Sequence, residues 1–210
     1  MRSSYPLPAA FLAAAVILAA GVASATIIHV PGDYPTITEA LTVLVPNGEI
    51  HVAPGDYHEP ELIVYYGMDI IGTGATPGEV VIHGDGDHRV LTIMQSESRI
   101  ENLRITGGEG SQGGGIAILD GANELRDLEI DDCHANLGGG IFVNTADAVL
   151  IERCHVTSCR AETAGGGIYA ANTDLVEVVD SVLLENLAGA YGGAWYAGRS
   201  GLTVESCDLV

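Results

Sequence analysis

The segment His83-Gly84-Asp85-Gly86-Asp87-His88 sets two carboxylates at alternate positions between two imidazoles. Alternating carboxylate oxygens suit Ca²⁺, and a pair of imidazoles suits a transition metal. Asp85 and Asp87 are therefore candidate metal ligands. The plainer reading is a tight turn, for which Gly-Asp-Gly-Asp is ordinary composition. Asp131-Asp132 with His134 is a second constellation with acid/base or metal chemistry within reach. A general base needs a positioned partner, and the aligned repeat carries only Thr157-Ser158, which favours a solvated corner. Phe142, Tyr169 and Tyr196 recur at equal spacing, directly after Ile141, Ile168 and Trp195. If those predecessors face inward, the three rings face outward and stack. Such a strip would serve as a platform for a sugar ligand, or as a ladder that steadies parallel strands.

The elements that must position these residues follow from a repeat. Gly-Gly-Gly-Ile begins at Gly113, Gly138 and Gly165, with a variant at Gly192. A fixed period of this size marks a solenoid. Between the glycines, apolar and polar residues alternate, as in Leu125-Arg126-Asp127-Leu128-Glu129-Ile130. Period two means strand. The expected fold is all-β, a right-handed parallel β-helix. Leu103, Leu128, Cys154, Ser181 and Cys207 form a second ladder and should make one inward column, with Asn102, Asp127, Arg153, Asp180 and Ser206 outside it. The segment 36–44 has apolar residues at 37, 40, 41 and 44, with Thr36 and Glu39 placed for a capping box. It reads as a short N-terminal amphipathic helix covering the open edge of the first coil. No corresponding cap follows Asp208-Leu209-Val210, so the C-terminal end is expected to be uncapped, the front part of a longer molecule, with end-to-end self-association at that edge. The glycine runs are not phosphate loops, which require a terminal Lys-Ser/Thr; the chain has no Lys.

Met1-Arg2, an apolar run from Ala9 to Ala20 and Ala23-Ser24-Ala25 have the layout of a signal peptide. The organisation read is thus 1–25 signal peptide, 26–60 cap and first coil, and 61–210 coils, with regular repeats over 107–210. The mature chain should carry no transmembrane segment and be secreted, or displayed at the cell surface or outer membrane. Twenty-eight acidic residues against eight basic give a net charge of −20, which excludes nucleic acid as a partner, since binding it needs cations against phosphate. Export permits disulfides. Cys133 and Cys159 fall at equivalent sites of adjacent coils, close enough for a bridge by strand spacing; Cys154 and Cys207 lie two coils apart, too far. Unpaired buried cysteines acting as small hydrophobes are the alternative.

These residues carry a resemblance. The second half is similar to right-handed parallel β-helix repeat proteins of exported bacterial type; Gly165–Tyr169 resembles repeats of polymorphic outer-membrane proteins and of pectate-lyase-like proteins. The opening, Val30–Ala40 and Val52–Glu59, resembles that of the same superfamily, with the G-x-Y-x-E element of pectin methylesterases matched by Gly55, Tyr57 and Glu59. Gly107–Gln112 resembles half of a calcium nonapeptide repeat, with Gln112 where the ligand Asp belongs. The esterases' paired Asp, Arg and Gln motifs and the lyases' calcium cluster have no match in register. The resemblance therefore implies a fold more than an activity. The expected function is an exported scaffold for binding or adhesion to a polysaccharide or surface protein, with no cofactor beyond an occasional Ca²⁺. The alternative is a carbohydrate-active enzyme, a polysaccharide lyase or esterase, marked by a cross-coil cluster of carboxylates with an Arg in a groove.

Overall fold

The computed structural model describes residues 26–43, 46–94 and 97–209; the expected signal peptide lies outside them. Every strand pairing recorded is parallel, and the strands fall into three sheets. Sheet 1 follows one path of eight strands from Ile27–Val30 to Gly201–Glu205. Sheet 2 stacks six strands from Leu62–Val64 to Trp195–Gly198, and sheet 3 four strands from Glu109–Gln112 to Leu187–Ala188. From Arg99 onward successive coils add a rung to each sheet, whereas the earlier coils have no rung in sheet 3, which begins at Glu109.

The inside is set by alternation. Ile116, Ile141 and Ile168 pair in register and are fully buried. Full burial of one such side chain stabilises by roughly 1.5–3 kcal/mol. The second ladder is inward as expected: Leu103, Leu128, Cys154 and Ser181 are buried, and Cys207, in the last described coil, is half-buried. The interior contains polar residues because each bonds the coil before it. The Ser181 hydroxyl accepts from Cys154 N at 3.0 Å. Buried Asn186 accepts from Cys159 N at 3.0 Å and donates to the Val156 carbonyl at 2.8 Å. A buried polar group so satisfied costs little.

The corners are single residues. Asn102, Asp127, Arg153, Asp180 and Ser206, just before the inward ladder, all adopt the left-handed conformation, with φ between 49° and 55°. Asn and Asp tolerate that region best; Arg153 occupies it as well. In the glycine runs the three positions have different reasons. Gly165 needs its positive φ of 66°. Gly166 and Gly167 lie where a Cβ would strike the next coil, at the Leu187 and Ala194 carbonyls.

The N-terminal helix α1 (Ile37–Leu41) is minor, only five residues, and shorter than the apolar spacing suggests. The Thr36 hydroxyl caps it, accepting from Glu39 N at 3.1 Å. No reciprocal bond from the Glu39 carboxylate is found among the described residues. Glu59 replaces it: its carboxylate accepts from Ile37 N at 2.8 Å, Thr38 N at 3.3 Å and Thr38 Oγ1 at 2.7 Å. Pro54-Gly55-Asp56, whose composition suggests a turn, instead leads directly into a strand, Gly55–His58, paired with Val80–His83.

Candidate functional site

The outer face of sheet 1 is built from charge. Across its in-register columns, Arg side chains alternate with carboxylates from neighbouring coils. Arg99 lies 3.3 Å from Asp69 and 3.4 Å from Glu101. Arg126 holds Glu124 at 3.0 Å and also bonds Glu152. Arg104 grips Asp131 through two bonds of 2.7 and 3.1 Å, and the Thr106 hydroxyl adds a third at 2.6 Å. Arg153 takes both oxygens of Asp127 at 2.7 Å, and Glu152 at 2.7 Å. Hydrogen bonding to those carboxylates holds the guanidinium pKa of Arg104, Arg126 and Arg153 above its ordinary value.

One stretch of this face is walled. Between the strands Asp69–Gly72 and Val80–His83, residues 73–79 rise as a loop ending in a single 3₁₀ turn (Pro77–Glu79). Asn102 braces it, donating to the Gly72 and Gly74 carbonyls at 2.8 Å each. Glu79 accepts from Ala75 N inside it. The loop and the sheet enclose a groove of about 620 Å³. Its charged lining is Glu101, Asp127, Glu129, Arg153 and His155, drawn from three successive coils. Glu129 and His155 face each other in register on adjacent strands. Neither makes a hydrogen bond or ion pair among the described residues, and Glu129 lies against Gly78 of the wall. The groove thus combines a fixed carboxylate–guanidinium pair with a carboxylate and an imidazole left available, groups suited to sugar hydroxyls, amines or proton transfer.

Sequence reasoning did not pick out this cluster. Asp127 and Arg153 are 26 residues apart, and each reads alone as a polar neighbour of the inward ladder. The signal lay in that ladder's alignment, which already puts Asn102, Asp127 and Arg153 in one outward column.

The residues that the sequence singled out are placed as follows. Asp131 is half-buried and is held by Arg104 and Thr106, while Asp132 is a left-handed corner at φ 51°. Nearby His134 pairs loosely with Glu109, 3.8 Å away. Asp85 accepts from Asp87 N at 2.9 Å, which lowers its pKa, and pairs with His88 at 2.9 Å. His83 pairs with Asp56 instead and stacks on His58. No group of three or more His, Cys, Asp or Glu converges as a metal site among the described residues; Asp85 and Asp87 lie between the strands Val80–His83 and Leu91–Ile93. Gln112 contributes only its carbonyl, to Arg89.

Phe142, Tyr169 and Tyr196 do stack coil on coil, with centroids 5.3 and 5.0 Å apart and planes within 6° and 13°. Two corrections follow. Phe142 is only 2% exposed, because the Gly113 and Gly138 corners close over its base. Parallel stacking also covers the ring faces, leaving mostly edges at Tyr169. All four cysteines are free thiols. Cys133 and Cys159 lie in neighbouring rungs with their thiols hydrogen-bonded, not joined; that contact, then burial, raises the Cys159 pKa. Burial pushes the Cys154 thiol up to about 12.

The family model described as the right handed beta helix region matches residues 66–210. The chain belongs to that family. Two solved structures share the β-helix. YbhC of Escherichia coli superposes with a TM-score of 0.54 at 15% identity, over 99% of this chain and 75% of that one. The rice weevil pectin methyl esterase gives 0.51 at 12% identity, over 88% of this chain and 66% of its own. At such identities the likeness is one of fold. No curated protein matches the chain.

Proposed function

We propose that this β-helix is an exported carbohydrate-binding scaffold whose ligand lies in the walled groove of sheet 1. The observation that carries the reading is the groove itself. It holds about 620 Å³ and is lined by carboxylate, guanidinium, imidazole and amide groups on a rigid multi-coil floor. Rigid strands hold side chains in place better than loops do, and polar side chains of this kind recognise hydroxyl-rich ligands at modest ordering cost. The lack of any described helix long and apolar enough to cross a membrane is compatible with export. The aromatic ladder is left in a stabilising role, since its ring faces cover one another.

A second reading, hydrolysis, has one specific observation in its favour. Asp127 fixed by Arg153, beside Glu129 and His155, is the cross-coil cluster of carboxylates with an Arg that would mark an enzyme. The rice weevil structure of similar fold is a pectin methyl esterase.

Glycan-array binding followed by methanol release from methyl-esterified pectin tests both. We expect saturable glycan binding that Arg153→Ala weakens, with no methanol above background. Methanol release abolished by Asp127→Asn would overturn the scaffold reading in favour of the enzyme. Failure to bind any glycan would overturn the carbohydrate reading.

A further inference from the structure

We infer that the groove selects oligosaccharides bearing protonated amines, of the glucosamine type, over carboxylated ones. This inference rests on the groove reading above and adds the charge class of the ligand. A carboxylated sugar needs a free cation to receive it. The four Arg side chains along sheet 1 offer none: Arg99, Arg104, Arg126 and Arg153 are each held by carboxylates of their own or adjacent coils. Arg153, the one guanidinium in the groove, is gripped by Asp127 through two bonds and by Glu152 through a third. The chain has no Lys to substitute for it.

The groove lining instead presents three carboxylates against one guanidinium. Two of the three have partners: Asp127 is bound by Arg153, and Glu101 lies 3.4 Å from Arg99. Glu129 is left without a hydrogen bond or ion pair among the described residues. It is half-buried against the wall glycine Gly78, with His155 in register on one side and Arg104 on the other, and the Arg104 guanidinium spends its hydrogen bonds on Asp131 rather than on Glu129. A half-buried carboxylate with no donor is completed by an ammonium, which supplies charge and hydrogen bonds together. Partial burial reduces the screening that would weaken such a pair at the open surface. The amide of Asn102 is committed to the wall, so it does not compete for the ligand.

Calorimetric titration of the purified protein with three tetrasaccharides tests this: free-amine glucosamine, its N-acetylated form and galacturonate. The free-amine tetramer should bind at least about tenfold more tightly than the other two, the worth of about one charge-assisted hydrogen bond. Glu129→Gln, near-isosteric and with no internal bond to break, should remove that advantage. Glu177→Gln, the same charge change on the same sheet outside the groove, should leave it within about twofold and controls for the overall acidity of the chain. Equal binding of acetylated and free-amine sugars, tighter binding of galacturonate, or no effect of Glu129→Gln would overturn the inference and leave the carbohydrate reading standing. Binding of tetralysine more tightly than the sugar, with the same dependence on Glu129, would assign the groove to basic peptides and overturn the sugar identity. If none of the glycans binds, both readings fall together.

Discussion

Replacing Glu59 by Ala should loosen the N-terminal cap and lower the stability of the whole β-helix. The side chain is 7% exposed and accepts three hydrogen bonds from the start of α1. Ile37, whose N–H donates the 2.8 Å bond, is fully buried. Without Glu59 that N–H has no acceptor and no water, a cost of about 1–3 kcal/mol. Thr38 is half-exposed, so water recovers part of its two bonds, and their loss adds about 1 kcal/mol. A total of about 3 kcal/mol corresponds to a fall in Tm of about 6–12 °C for a domain of this size. Glu59→Gln keeps one acceptor oxygen and should lose about half as much. Urea denaturation followed by circular dichroism gives the free energies, and hydrogen exchange over residues 36–41 locates the damage. In a linear array each unit is held by its neighbour, so the loss should reach the global transition. A Glu59→Ala protein within about 0.5 kcal/mol of the parent would refute the reasoning. So would one in which only 36–41 exchanges faster while Tm stays fixed, because the cap would then not be coupled to the coils.

Gly165→Ala should destabilise by at least about 2 kcal/mol in the same denaturation assay, since the residue sits at φ 66° and its Cβ would meet the Ile168 carbonyl and lie 2.8 Å from the Tyr169 Cβ. Carboxyl-carbon NMR should find Asp69 titrating above the ordinary Asp range, because its burial outweighs the N–H of Arg99, and Asp85 below it, through the Asp87 N–H. With its folded pKa raised, the Asp69 contribution to stability is full below the ordinary Asp value and is lost as pH rises through the folded value. Asp85, lowered, contributes the opposite way: its share is present above the ordinary value and is lost on acidification. Native protein at pH 8 should leave Cys154 unmodified by a thiol reagent until denatured, its thiol being buried and pushed up to about 12; labelling at the rate of a free thiol would contradict that burial.

The fold was legible because its signals are local or strictly periodic. The Gly-Gly-Gly-Ile runs and the ladder from Leu103 to Cys207 each recur within one coil length, and alternation fixes which side is in. The inward position of Leu128 and the outward one of Asp127 therefore follow from the sequence. The groove was not legible, because nothing local distinguishes Asp127, Glu129 or Arg153 from any solvated residue on a strand. What makes them a site is registration across coils together with the wall of residues 73–79, whose height depends on how Asn102 ties it down. At Asp131-Asp132 and at Asp85 and Asp87 the sequence offered two readings, a reactive group or an ordinary corner or turn. Acidic neighbours in sequence look like a reactive pair, yet Asp131 is tied to Arg104 and Thr106, and Asp85 accepts from the Asp87 N–H and pairs with His88. Phe142 shows a third limit: alternation gives the direction of a side chain but not what closes over it.

The wall belongs to one coil only. The regular turns of residues 107–210 are close to interchangeable, and the pitch between them is fixed by backbone pairing rather than by side-chain identity. Recognition and architecture are therefore inherited separately. A lineage could lengthen or shorten the shaft by whole turns without disturbing the groove, or exchange the single protruding loop and acquire a new ligand on an old shaft. Moving residues 73–79 to another turn would carry the wall with it, provided an Asn stood at the corner beneath to hold it upright.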